Sequence, residues 1–108
     1  MDEEYLAAVL DVVADIPAGR VMTYGGIAEV VREHLGRGGP RQVGAAMALA
    51  GGAVPWWRVV AASGAPPMRL RRDALARLRA EGCPVSGTDE TARVRLRAAV
   101  WWPAPDLG

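Results

Sequence analysis

Residues 23–50 read TYGGIAEVVREHLGRGGPRQVGAAMALA, and the fold turns on this stretch. Thr23 is placed to cap a helix, and Ile27, Val30, Val31 and Leu35 then recur at helical spacing on one face. Gly36 is its stop, because glycine enters the left-handed conformation that ends helices without steric cost. Gly36-Arg37-Gly38-Gly39 reads as a turn. Pro40 suits the first position of a third helix, where its missing N–H would have had no partner. That helix is expected to send Val43, Met47 and Ala50 inward and to close at Gly51-Gly52. Two helices joined by a glycine-rich turn form a helix-turn-helix pattern.

Upstream, Asp2 can cap a first helix with Tyr5, Leu6, Val9, Val12, Val13 and Ile16 at helical spacing, and Pro17-Ala18-Gly19 ends it. Arg20-Val21-Met22 is a short extended link. Downstream, residues 55–62 (PWWRVVAA) read as an extended segment and loop, and residues 63–67 as a loop. Residues 71–80 read as a fourth helix with Ala74, Leu75 and Leu78 apolar and Gly82 as its cap. Arg93 to Trp101 alternates arginine with apolar residues, which predicts a half-exposed strand or hairpin arm. The expected fold class is mainly α, a winged helix-turn-helix, as a single domain over residues 1–108.

The 108 residues are 51% hydrophobic and 23% charged, as in a globular chain rather than a disordered one. No apolar run reaches the ~18–20 residues of a membrane span. The acidic start MDEEYLAAVL reads against a secretory signal, and one cysteine, Cys83, reads as cytosolic. One cysteine and one histidine (His34) leave no disulfide framework and no multi-Cys or His-rich metal site. Every basic residue is arginine, so Schiff-base and P-loop lysines are excluded. The charge is uneven. Residues 1–34 hold seven acids and two arginines, a net −5, whereas residues 35–80 hold eight arginines and one acid, a net +7. The other 28 residues hold four acids and three arginines, a net −1, which completes the overall +1. A basic middle in a near-neutral chain suits one polyanion-binding face; a solvated face in an arginine-biased chain is the other reading.

The third helix presents Arg41, Gln42, Gly44, Ala45 and Ala48 outward. Arg41 and Gln42 stand at a helix N-terminus, which favours phosphate. A major-groove reader needs several long polar side chains, and only the first turn has them here. Small residues instead suit close, sequence-tolerant docking in a widened minor groove with Arg41 as the long probe, or close packing of another helix.

Four segments, residues 16–28 (IPAGRVMTYGGIA), 41–47 (RQVGAAM), 55–60 (PWWRVV) and 78–82 (LRAEG), occur in order. Together they resemble the DNA-binding and active-site domain of the O6-alkylguanine-DNA alkyltransferases, which reads IPxGxVxTYGxIA, RxVGxAM, PCHRV and LxxEG. That family's alkyl acceptor is the Cys of PCHRV, activated by the adjacent His, which a later Glu orients. Here those positions hold Trp56 and Trp57, and an indole is no thiolate. Glu81 matches the relay Glu and is expected to have nothing left to orient. Cys83 reads as a small buried hydrophobe.

A Trp in the acceptor position resembles the alkyltransferase-like proteins, which bind alkylated guanine without repairing it. Their usual PWHRV makes Trp57 a further departure, read as packing. The residues 100–103 (VWWP) and the missing GYxGG loop after Gly64 point the same way. The resemblance implies a non-enzymatic sensor that flips O6-alkylguanine out of duplex DNA through the minor groove and flags it for nucleotide excision repair. It makes Arg41 the intercalating finger and puts Tyr24, Trp56, Val59 and Arg69 around the flipped base, with Arg71 and Arg72 as competitors of Arg69. Arg58 is read as structural or phosphate-pairing. Thr23, Tyr24, Gln42, Gly44, Ala45 and Ala48 form the expected DNA-contacting surface. It calls for no cofactor and no metal, a monomer, DNA and excision-repair proteins as partners, and a cytoplasmic place on the nucleoid when bound. The acidic first helix and Trp101-Trp102 are candidate partner patches, with core packing the main use of both tryptophans. Two other readings stand: a winged-helix transcription factor on intact DNA, and a repair enzyme with an unrecognised nucleophile.

Overall fold

The fold is given by a computed structural model that describes residues 1–104; Asp106, counted among the acids, lies outside the described residues. Helix α1 runs Glu3–Ala14, opened by Asp2, whose Oδ1 accepts the Glu4 N–H at 2.9 Å. It buries Tyr5, Val9 and Val13, and Ile16 is buried just beyond its end. Strand β1 is Met22–Thr23. Helix α2 is Tyr24–Leu35; the Thr23 hydroxyl accepts the Gly26 N–H at 2.9 Å, and Gly36 ends it at φ +71°. Helix α3 is Pro40–Ala50, with Pro40 in its first turn. The helix-turn-helix is therefore α2–turn–α3, and α1 packs across both.

The turn is held from α1. Gly38, at φ +94°, lies so close to the Tyr5 ring that a Cβ there would collide with it. The Arg32 side chain donates to the Gly38 carbonyl at 2.8 and 3.2 Å, and Arg37 pairs with Asp2 and with Glu4. Arg37 also lies over the Tyr5 ring, 5.9 Å from its centre. The angle between α2 and α3 is thus set by the start of α1, which sequence periodicity does not reveal.

After α3 come a 3₁₀ turn, Trp56–Arg58, and strand β2, Val59–Val60. Strand β2 pairs parallel with β1, Met22 opposite Val59 and Thr23 opposite Val60. A second 3₁₀ turn, Met68–Leu70, leads into α4, Arg71–Ala80. Strands β3 (Val85–Ser86) and β4 (Arg93–Val94) form the antiparallel wing, followed by helix α5, Leu96–Ala99. Among the described residues no helix is long and apolar enough to cross a membrane.

Three expectations change. Residues 93–101 are not one strand. Arg93–Val94 pairs with β3, and α5 follows because Arg20 donates from Nε to the Ala99 carbonyl at 3.0 Å and from a terminal nitrogen to the Val100 carbonyl at 2.6 Å. Those bonds satisfy the helix end and return the chain to Val21, which bridges Val100. Residues 55–58 coil tightly instead of extending, since the Arg58 N–H donates to the Pro55 carbonyl at 3.0 Å. In α3 the fully buried pair is Val43 and Ala46; Met47 and Ala50 are half-buried, because the helix turns its Met47 edge to a cavity.

Gly38→Ala is expected to cost about 2 kcal/mol or more and to lower Tm by roughly 10 °C, because it adds a ring collision to a left-handed backbone. Gly36→Ala, where no atom stands within 4 Å of the added carbon, should lose about half as much. Equal losses in thermal melts would show that Tyr5 does not hold the turn.

Candidate nucleic-acid interface

A cavity of about 640 Å³ opens beside α3. One side is the middle and carboxyl-terminal part of α3, with Gly44, Met47 and Ala48, running into Gly51 and Gly52. Tyr24 and Trp56 close it from α2 and from the first 3₁₀ turn, and Pro67, Arg69 and Leu70 rim it from the second. Three of the four residues expected around a flipped base thus share one cavity. Val59 does not line it: its side chain is fully buried in the core, paired through its backbone with Met22. Alternation in so short a strand does not say which face meets the core, and both valines of β2 do.

The choice among the arginines is geometric. Arg69 is exposed and on the cavity rim. Arg71 instead donates to the Glu90 and Ala92 carbonyls at 2.5 and 2.7 Å, which pins α4 to the wing, and Arg72 faces a separate cleft with Leu75 and Arg79. Met68, 90% exposed, and Leu70 flank Arg69 and give the rim apolar surface.

Helix α3 keeps a smooth outer side. Arg41, Ala45 and Ala48 are exposed, and Gly44 has no atom within 4 Å of where a Cβ would stand. Gln42 is partly committed: its Oε1 accepts the Gly39 N–H at 2.9 Å and so fastens the start of α3, leaving its NH₂ as the free donor group. Thr23 likewise spends its hydroxyl on the α2 cap, with Tyr24 following it into the cavity. Burial pushes the Tyr24 phenol up from its ordinary value, so it stays a neutral donor.

Behind the cavity wall lies a cluster that the sequence did not announce. Trp56 meets Trp57 edge to face, with ring centres 5.8 Å apart and planes at 90°. The Trp57 Nε1–H donates to Glu81 Oε2 at 3.0 Å. Arg58 donates to the same carboxylate at 2.5 and 3.1 Å and to the Ile16 carbonyl at 2.8 Å. The Gly19 N–H donates to Glu81 Oε1 at 3.1 Å. Glu81 is therefore not idle: with no imidazole present, an indole N–H and a guanidinium take its oxygens. Burial pushes its carboxyl up, but the bonds from Arg58, Gly19 and Trp57 and the Arg58 charge outweigh this and hold it below the ordinary carboxylate value. Arg77 lies over both indoles, 4.7 Å from the Trp57 centre and 5.7 Å from that of Trp56. Spacing along α4 cannot show that contact, because it depends on where the 3₁₀ turn docks.

Cys83 is 5% exposed, and its thiol is pushed up by burial and by the Glu81 charge, with Arg20 pulling the other way, so it is no ready thiolate. His34 is exposed near the end of α2 and does not line the cavity. Trp101 packs into the α1–α3 core. Trp102 is 49% exposed, its ring edge lying against Gly26 in the first turn of α2. Among the described residues, no three His, Cys, Asp or Glu side chains are grouped to hold a metal ion.

The sequence profile of the 6-O-methylguanine DNA methyltransferase DNA-binding domain matches residues 4–83. This chain belongs to that family. It is 32% identical over 105 residues to a DNA base-flipping protein of Vibrio parahaemolyticus serotype O3:K6 (strain AQ3810), covering 94% of this chain and 99% of that one. Its fold is similar to that of Schizosaccharomyces (S.) pombe Atl1 in a crystal structure with damaged DNA containing O6-carboxymethylguanine. The TM-score is 0.79 at 32% identity, over 95% of this chain and 99% of that one. A structure of S. pombe ATL in complex with DNA matches with the same values.

Glu81→Gln is expected to destabilise the protein by about 2 kcal/mol at neutral pH, since two charge-assisted bonds from Arg58 are lost or weakened. A carboxyl lowered by folding contributes stability above the ordinary carboxylate range and loses it as pH falls through the folded value. The gap between wild type and variant should therefore close in acid; a constant gap in denaturant melts from neutral to strongly acidic pH would refute the ion pair as its source.

Proposed function

We propose that this protein is a non-enzymatic reader of O6-alkylguanine in duplex DNA. The observation that carries the reading is the cavity beside α3, where Tyr24, an indole at position 56 and Arg69 converge under a helix with a smooth outer side. A base must leave the stack before its O6 substituent can be inspected, at a cost of a few kcal/mol. The cavity is large enough for a flipped purine, with an aromatic wall for stacking and a planar cation at the rim. Gly44, Ala45 and Ala48 let α3 approach a minor groove closely, and Arg41, exposed in the first turn, is the side chain long enough to enter the stack behind the departed base. Thr23, Tyr24 and the Gln42 amide group border the same approach.

Position 56 offers no nucleophile and position 57 no base, so binding is the whole activity, and the binding energy stays in the complex. The relatives support this reading, since one is named a base-flipping protein and the S. pombe structure holds damaged DNA. A persistent lesion-marked complex suits hand-off to nucleotide excision repair. The protein would act as a cytoplasmic monomer bound to the nucleoid, as one domain over residues 1–108.

The test is titration of matched duplexes with guanine or O6-methylguanine, followed by recovery of the DNA. Tight binding selective for the lesion, with the methyl group retained, is expected; loss of the methyl or of the base, or equal affinity for both duplexes, would overturn the reading. Arg41→Ala should abolish the preference, because the flipped state loses its filler. Gly44→Ala should raise Tm by about 4 °C, from roughly 0.5–1 kcal/mol of helix stabilisation, while weakening DNA binding about tenfold through the added methyl.

A further inference from the structure

We propose that Trp57 is a positioning residue: it sets the plane of the Trp56 ring that walls the cavity. This rests on reading that cavity as the pocket of a flipped base. Trp57 does not line the cavity, yet it meets the Trp56 ring edge to face at 5.8 Å. An edge-to-face pair has a preferred angle, so one ring held rigidly orients the other.

Trp57 is held from three directions. Its Nε1–H donates to Glu81 at 3.0 Å, which fixes the in-plane rotation of the indole. The guanidinium groups of Arg58 and Arg77 lie over its ring at 5.2 and 4.7 Å. Its apolar edge packs on the core around Val21, Val60 and Leu78. Among the described residues Trp56 shows no hydrogen bond from its Nε1–H; the ring contacts seen for it are the perpendicular pair with Trp57 and, at 5.7 Å, the Arg77 guanidinium. Its orientation is therefore borrowed. A wall held in one plane presents a base-sized slot before the base arrives, and preorganisation of this kind shows up in affinity for the flipped base and not for the duplex as such. Arg77 serves the same end, stacking on both rings while Asp73 receives its Nε–H at 3.1 Å.

The experiment labels the protein with 5-fluorotryptophan and compares wild type with Trp57→Leu and Trp57→Phe, the Trp56 resonance being identified by its absence in Trp56→Phe. Without DNA, wild type should give one sharp Trp56 signal. Trp57→Leu should shift and broaden it, and Trp57→Phe, which keeps the aromatic edge, should restore most of it. Binding should follow: in Trp57→Leu the affinity for an O6-methylguanine duplex falls about tenfold more than that for the guanine duplex, the worth of one aromatic pair with its stacked cations, and less in Trp57→Phe. Should Trp57→Leu not fold, Trp57→Phe still tests the proposal, because it loses the Nε1–H that Glu81 holds and should move the Trp56 signal in the same direction by a smaller amount.

An unmoved Trp56 signal overturns the proposal, as does an equal loss of affinity for both duplexes, which would mean that Trp57 only maintains the fold. If wild type itself fails to discriminate the duplexes, the sensor reading falls, while the fluorine signal still decides whether Trp57 orients Trp56.

Discussion

One carboxylate joins the parts of this molecule that have to agree. Glu81, at the end of α4, accepts from Gly19 in the turn after α1 and from Trp57 and Arg58 in the 3₁₀ turn before β2. Its partners are 62, 24 and 23 residues away in the chain. Arg58 carries the link on to the Ile16 carbonyl. Charge-assisted bonds in a partly dry site are strong, and removing one member leaves the others unsatisfied. The carboxylate therefore fixes α4, the end of α1 and the aromatic pair as one unit, and the cavity wall inherits its position from that unit.

Much of the same framework would serve a nucleophile. A thiolate at position 56 and an imidazole at position 57 would stand where two indoles now stand, with the same Glu81 behind them. Exchanging both for tryptophan removes the reactive atoms and keeps the hydrogen bond to Glu81, since an indole N–H donates to a carboxylate as an imidazole N–H does. What is gained is aromatic surface. On the proposed reading, the scaffold presents an aromatic wall where a nucleophile would stand.

The helix-turn-helix shows the compromise that a binding surface imposes. Helix α3 carries a glycine at position 44 and exposed alanines at 45 and 48, of which the glycine weakens a helix. That loss is tolerated because α1 clamps the turn through Tyr5, Arg37 and Gly38, and because Gln42 closes the first turn of α3. Stability sits at the turn, and smoothness sits where a groove would be approached. Exposed Met68 and Leu70 beside Arg69 add apolar surface next to the cavity.

Local signals determined helices α1 to α4. Asp2, Thr23, Gly36, Pro40 and Gly82 each act within a few residues, so their chemistry marks boundaries without knowledge of the rest of the chain. The ordered motifs also sufficed to bring Tyr24, Trp56 and Arg69 to one site, and to place Arg41 at the start of α3. Tertiary structure decided what local pattern cannot carry. It set Arg69 on the cavity rim and Arg71 against two wing carbonyls. It put Val59 in the core, not on the cavity wall, and it ended β4 early because Arg20 captures the carbonyls that follow. It gave Glu81 two new donors and set Arg77 over both indoles, since those contacts form only when α4 docks on a turn some twenty residues before it. Caps and periodicity are properties of neighbours in sequence, whereas hydrogen-bond satisfaction at a half-buried carboxylate is a property of the whole fold.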